Sequence, residues 1–160
     1  MKTLYLLRHA KSSWDNSSLP DRERPLEARG ERDAERMSQR WSHVNKKPDL
    51  IVSSPAARAV ATAKFFAAAL GYEIKRVKVD DRLYGADVGT LVTIVEALDD
   101  KLKRVMLVGH NPGFAELAYH FDDEISQMPT CALAELRFDA KSWAGIGQTK
   151  PVRTAIDSPR

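Results

Sequence analysis

The chain has 160 residues, 43% apolar and 29% charged, and its 25 basic and 22 acidic residues leave a formal net charge of +3. That length suits one domain with a sizeable core, expected over 1–160, and the composition is that of a globular protein rather than a disordered or fibrous one. The mild charge gives no nucleic-acid footprint, the single cysteine excludes an internal disulfide framework and fits a reducing compartment, and no apolar run approaches the roughly 18 residues of a membrane span.

Residues 3–8 read as a short, fully apolar strand of the kind buried on both faces of a parallel sheet. Arg8 interrupts the apolar stretch too early for a secretory leader, and no small-residue cleavage site follows, so a cytoplasmic protein is expected. A polar loop, "KSSWDNSSLPDRERP", comes next. From Leu26 to Trp41 the positions Ala34, Met37 and Trp41 have helical spacing. Gly30 falls in that helix at a cost of about 1 kcal/mol, which points to close packing or a cap adjustment. "DLIVSS" (49–54) is a second strand. The following segment to Gly71 is a helix with Ser54 as N-cap, Pro55 at its first position and Gly71 as terminator.

Residues 73–79 alternate and predict a third, less buried strand, and Val88, Leu91, Val95 and Leu98 make another helical stripe. "RVMLVGH" (104–110) repeats the design of the first strand, and "NPGFAELAYHF" opens a helix with Asn111 as N-cap and Pro112 behind it. "CALAELRF" (131–138) is a last strand, and the tail from Lys141 to Arg160 shows little periodicity. Strands and helices alternate with short connections. The class is therefore α/β, a three-layer α/β/α sandwich with a mostly parallel central sheet and helices on both faces.

In such sheets ligands bind beyond the carboxyl ends of the strands. The first strand ends at Arg8 and His9, and the second at Ser53 and Ser54 with Arg58 one turn on. The third apolar run delivers Gly109, His110 and Asn111. Two adjacent cations at the end of a buried strand repel each other and are costly to desolvate. An anion resolves the conflict, and two arginine forks, two histidines and helix N-termini suit a phosphoryl group. A lone arginine or "GHN" histidine would be an ordinary surface or structural residue. His43 and His120 are read so, and it is the conjunction that singles out the others.

The motifs "LYLLRHAKSSW", "RPLEARGERDA", "DLIVSSPAARAVATA", "DDRLYGAD" and "VMLVGHNPG" resemble the histidine phosphatase superfamily, with its phosphoglycerate mutase-like fold, and most of all its small SixA-type phosphohistidine phosphatases. The resemblance runs to about Pro129 and Thr130. It implies His9 as the nucleophile that becomes phosphorylated, Arg8, Arg58 and His110 as holders of the phosphoryl oxygens, and no metal or organic cofactor. Asn111 is added as a phosphate-binding candidate. Two positions depart from the common pattern. Ala10 stands where the superfamily usually has glycine, a mark of the SixA-like branch. Tyr84 or Gly85 stands where many phosphomonoesterases and mutases carry a Glu general acid, with Asp87 nearby but out of register.

The expected chemistry is two in-line displacements through a phosphohistidine intermediate. The neighbouring cations keep His9 unprotonated, and a carbonyl oxygen is expected on its other ring nitrogen. Without an evident acid the sequence favours a phosphoramidate, because a protonated phosphohistidine departs as neutral imidazole whereas an alcohol needs a proton. Asp15, Asp21, Glu23 and Asp87 remain open as acids. The loop with Lys11, Arg22 and Arg24 is expected to border the pocket and "MPTCAL" (128–133) its other side, with Thr130 as a candidate ligand. Cys131 reads as a small buried residue, and Trp14, Trp41 and Trp143 as packing. The expected partner is a phosphorylated protein or a small phosphorylated molecule, with no nucleic acid and no membrane. The alternatives are a metabolite or nucleotide phosphomonoesterase and, from another class, a phosphoprotein-binding module without turnover.

Overall fold

In β1 (Lys2–Arg8) successive side chains go to opposite sides of the sheet. Leu4 and Leu6 enter one core cluster and Tyr5 and Leu7 another, so a strand covered on both faces reads as an unbroken apolar run. The computed structural model describes residues 1–44 and 47–159. After β1 come α1 (Ala28–Ser42), β2 (Leu50–Ser53), α2 (Ala57–Leu70), β3 (Lys78–Val79), α3 (Val88–Glu96), β4 (Arg104–Gly109), α4 (Gly113–Phe121), β5 (Leu133–Phe138) and β6 (Arg153–Asp157). The sheet order is β3-β2-β4-β1-β5-β6. β3, β2, β4 and β1 are parallel, and β5 and β6 run antiparallel at the other side. Met37 and Trp41 of α1 and Phe66 of α2 pack against Tyr5, Leu7 and Ile51, while Leu91 of α3 and Phe114 and Leu117 of α4 pack on Leu4 and Leu6. The result is the expected three-layer α/β/α sandwich.

The structure corrects the sequence reading at several elements. Residues 73–79 hold a 3-10 turn at Ile74–Arg76 and only a two-residue strand. The hydroxyl of Tyr72 accepts from the Ile51 amide (3.3 Å) and donates to the Arg76 carbonyl (3.0 Å), so a side chain takes over part of the edge of β2. α2 begins two residues after Pro55, with Ala56 at the cap and Ser54 Oγ accepting from the Ala56 amide (3.2 Å). Gly71 ends it at φ 71°, the left-handed conformation for which a residue without Cβ is suited. At α4 the cap position is Pro112, after a cis Asn111–Pro112 bond.

The tail contributes β6, a mostly exposed edge strand on β5, latched by Arg40 Nη2 to Asp157 Oδ1 at 3.0 Å. Its last residue, Arg160, lies outside the described residues. Trp41 and Trp143 are buried in the core, whereas Trp14 is 70% exposed and packs outside it, against the Arg24 guanidinium. Among the described residues, no helix is long and apolar enough to cross a membrane.

Candidate active site

Register brings the strand ends together. Arg8 lies beside Gly109 and Ser53 beside Val108, so β4 carries His110 between the ends of β1 and β2. His9 follows β1 with its amide on the Gly109 carbonyl (3.1 Å), and Ser54 donates its amide to the Val108 carbonyl (2.9 Å). Arg58 reaches the same rim from the first turn of α2. Arg8 and His9 thus come from the end of β1, His110 from the end of β4 and Arg58 from α2.

His9 is 8% exposed. Its Nδ1 donates to the Ala10 carbonyl at 2.7 Å, which fixes the neutral tautomer and leaves the Nε2 lone pair free. The expected carbonyl is therefore its own neighbour's. Ala10 is held in turn, its amide donating to Thr62 Oγ1 (3.0 Å), while Thr62 donates to the Arg58 carbonyl (2.8 Å). Behind this turn Gly30 of α1 packs so closely that a Cβ would lie 2.0 Å from the Lys11 carbonyl oxygen, which explains glycine within that helix. Burial drives the His9 pKa down to about 3. The bond to Ala10 opposes this, and His110, Arg58 and Arg8 add to it. The rings of His9 and His110 have centroids 5.1 Å apart.

His110 is likewise pushed down to about 4, by burial first and then by Arg58, with Asp21 acting the other way. Its Nε2 shares a 2.7 Å hydrogen bond with Ser54 Oγ. Ser54, read as a helix cap, is instead a partner of this histidine.

The two arginines differ. Arg8 donates from Nη1 to the Met128 carbonyl (3.1 Å), while its buried Nε has no partner and, among the described residues, it makes no ion pair. Burial lowers its pKa. Arg58 is 7% exposed and clamped by one residue: Nη1 donates to the Asp21 carbonyl oxygen (2.7 Å) and Nη2 to Asp21 Oδ2 (3.0 Å). Asp21 Oδ1 accepts from Arg24 Nη1 (2.9 Å), and Oδ2 also accepts from the Tyr84 hydroxyl. Tyr84, followed first by Arg58 and Arg24, holds the Asp21 carboxyl far below the usual carboxylate range, and the same bond raises the Tyr84 pKa. The Tyr84 ring stands edge-on to His110, with centroids 5.5 Å apart.

The remaining candidates sort as follows. Asn111 commits both ends of its amide to the fold, Nδ2 to the Met128 carbonyl (2.8 Å) and Oδ1 to the Ala115 amide (3.2 Å). It braces the segment that Arg8 also holds. Asp87 caps α3 through the Thr90 amide (2.8 Å). Asp15 and Glu23 are exposed, and among the described residues neither side chain pairs with any of the four. Among the described residues Thr130 has no side-chain hydrogen bond, whereas the neighbouring Cys131, buried at φ 62°, donates its amide to the His9 carbonyl (3.0 Å). Met128 and Pro129 line an open depression of about 550 Å³ that reaches Arg8 and Asn111. A larger one, about 680 Å³, lies at the end of α4 against 147–154 and contains none of the four. His120 donates to or accepts from nothing in the site; its Nε2 bonds the Gly147 carbonyl (2.7 Å). Among the described residues, no three His, Cys, Asp or Glu side chains gather as a metal-ligand set.

Sequence reasoning placed Ser54 on the rim but missed its bond to His110, and it missed Thr62 and the clamp made by Asp21. Nothing local marks them, since each acts across more than thirty residues of chain.

The model of the histidine phosphatase superfamily (branch 1) matches residues 4–107. An uncharacterized chloroplastic protein of Arabidopsis thaliana is 34% identical over 150 residues, 89% of this chain and 69% of its own. A crystal structure from Agrobacterium tumefaciens, provisionally assigned as the phosphohistidine phosphatase SixA, is 29% identical with a TM-score of 0.80, covering 96% of this chain and 97% of that one. A Nakamurella multipartita protein, with the same provisional assignment, is 26% identical with a TM-score of 0.84, covering 99% and 96%.

Proposed function

The chain belongs to the histidine phosphatase superfamily, and on that premise we propose that it is a metal-independent phosphatase that works through a phosphohistidine at His9 and acts on phosphohistidine in proteins. The observation that carries this reading is the pairing of a half-buried arginine, whose buried Nε has no partner and which faces no anion among the described residues, with a neutral histidine whose Nδ1 is tied to a carbonyl. A phosphoryl dianion is the partner Arg8 lacks. At an effective dielectric near 20, a unit-charge contact at about 4 Å is worth on the order of 4 kcal/mol before desolvation.

His9 Nε2 attacks phosphorus, the bond to the leaving atom breaks with its electron pair, and water then displaces the phosphoryl group from His9. Arg8, Arg58 and His110 hold the three equatorial oxygens, where most of the work of phosphoryl transfer is electrostatic. Asn111 serves as a brace rather than a ligand. The substrate class follows from the acids. The Asp21 carboxyl is held far below the usual range, Tyr84 is raised above its own, and Asp87 is a helix cap, so none of these three stands ready to protonate an alkoxide. A protonated phosphohistidine leaves as neutral imidazole and needs no such acid.

The test is phosphate release, in EDTA, from a phosphohistidine protein and a matched serine phosphate, by the wild type and His9→Ala. Strong preference for phosphohistidine, dependent on His9, is the expected result. Preference for the serine ester would overturn the substrate assignment. Stable binding without release would make the site a recognition pocket.

A further inference from the structure

Asp21 does more in this geometry than clamp Arg58. A carboxylate offers about four acceptor positions. Three are filled by fixed donors: Arg58 Nη2 and the Tyr84 hydroxyl on Oδ2, and Arg24 Nη1 on Oδ1. The side chain is nevertheless 46% exposed, which leaves an acceptor position for a group arriving from solvent. Arg24 cannot swing away, because Ser12 Oγ and the Ser13 carbonyl (3.1 Å) hold it and the Trp14 ring lies 3.3 Å from its guanidinium carbon. The carboxylate is therefore held against Arg58 and against Tyr84, whose ring stands edge-on to His110.

We infer that Asp21 selects the leaving group: it accepts the N–H of a protonated nitrogen leaving group and turns away substrates that carry an anion beside the phosphate. The inference rests on the phosphoramidate reading above and names the residue that enforces it. In the step, the His9 Nε2–P bond forms and the P–N bond breaks. The electron pair of that bond stays on the departing ring nitrogen, and the proton on the ring's other nitrogen remains there, so neutral imidazole leaves. By accepting that N–H, Asp21 favours the protonated substrate, which is the form that can depart without a general acid. Arg58 and Arg24 touch the carboxylate, Tyr84 donates to it, Arg22 stacks on Tyr84 at 4.5 Å, and His110 and Arg8 lie deeper. Two further carboxylates are near the rim, Glu23 exposed in the same turn as Asp21 and Glu116 on the wall of the depression beside Arg8.

The experiment compares wild type with Asp21→Asn, which keeps the shape, on N-phosphorylimidazole, phenyl phosphate and 4-carboxyphenyl phosphate. A circular-dichroism melt verifies folding. Loss of the clamp lowers turnover of all three alike, so ratios isolate selection. The expected result is a fall in kcat/KM for N-phosphorylimidazole at least tenfold greater than for phenyl phosphate, with the carboxylated ester gaining at least threefold on phenyl phosphate. The alkaline limb of the kcat profile with N-phosphorylimidazole moves to lower pH, because the carboxylate no longer raises the pKa of the bound ring. If N-phosphorylimidazole and phenyl phosphate fall by one factor and the limb stays, Asp21 only positions Arg58 and the inference fails, while the wild-type preference keeps the functional reading intact. A wild type without that preference overturns both.

Discussion

Replacing Gly30 by alanine tests how the helix behind the site sets the nucleophile. In an ordinary helix this change stabilises by about 1 kcal/mol, since alanine loses less backbone entropy. Here the new Cβ would lie 2.0 Å from the Lys11 carbonyl oxygen, 2.9 Å from its carbon and 3.0 Å from its nitrogen. Backbone cannot rotate out of the way as a side chain tip can, so the segment must retreat by roughly 1 Å or more to reach an ordinary contact. Overpacking of this kind costs about 1–3 kcal/mol, which outweighs the helix gain. The same carbonyl accepts the Glu27 amide (3.0 Å), and Lys11 follows the Ala10 carbonyl that fixes the His9 tautomer. A displacement near 1 Å at a reacting group lowers turnover about 10²-fold. Urea unfolding and steady-state kinetics on N-phosphorylimidazole read the two effects separately. A variant that is about 1 kcal/mol more stable, with unchanged kcat, would refute the argument that this approach is tight.

Two further outcomes follow from the site. His9 and His110 stay neutral in the folded protein to pH values near 3 and 4. Their unfolded counterparts take up protons from about pH 6.5. The unfolded state thus binds more protons in between, so stability falls as pH drops from about 6.5 toward 4; ring ¹⁵N shifts moving near pH 6.5 would refute this. Arg8→Met removes a half-buried guanidinium whose buried Nε has no partner and should raise stability by about 1 kcal/mol in urea, while lowering kcat by about 10²-fold or more. A destabilised variant would show that the guanidinium is already satisfied.

Much of the fold could be read because burial leaves a local imprint. β1, β2 and β4 are covered on both faces and read as unbroken apolar runs, and each ends at the residues that form the site. β6 left no such imprint, since its residues are mostly exposed and only pairing with β5 makes them a strand. The alternation at 73–79 misled for the opposite reason: Ile74 and Val79 are 44% and 53% exposed, and no second layer covers them.

At the site, chain order placed Arg8, His9, Arg58 and His110 on one rim, because parallel strands share the direction of their carboxyl ends. It could not say which charges are matched. Asp21 and Arg24 sit in a loop with Lys11, Asp15, Arg22 and Glu23, and nothing in their spacing marks the Arg58 clamp or the Tyr84 contact. Ser54 looked like a cap because a serine before proline commonly is one, but the helix began later and freed its hydroxyl for His110. What the sequence determined by itself was the set of groups delivered to the rim, through hydrophobic periodicity. Only the tertiary structure decided their protonation and pairing, because burial and charge neighbours depend on distances between segments remote along the chain.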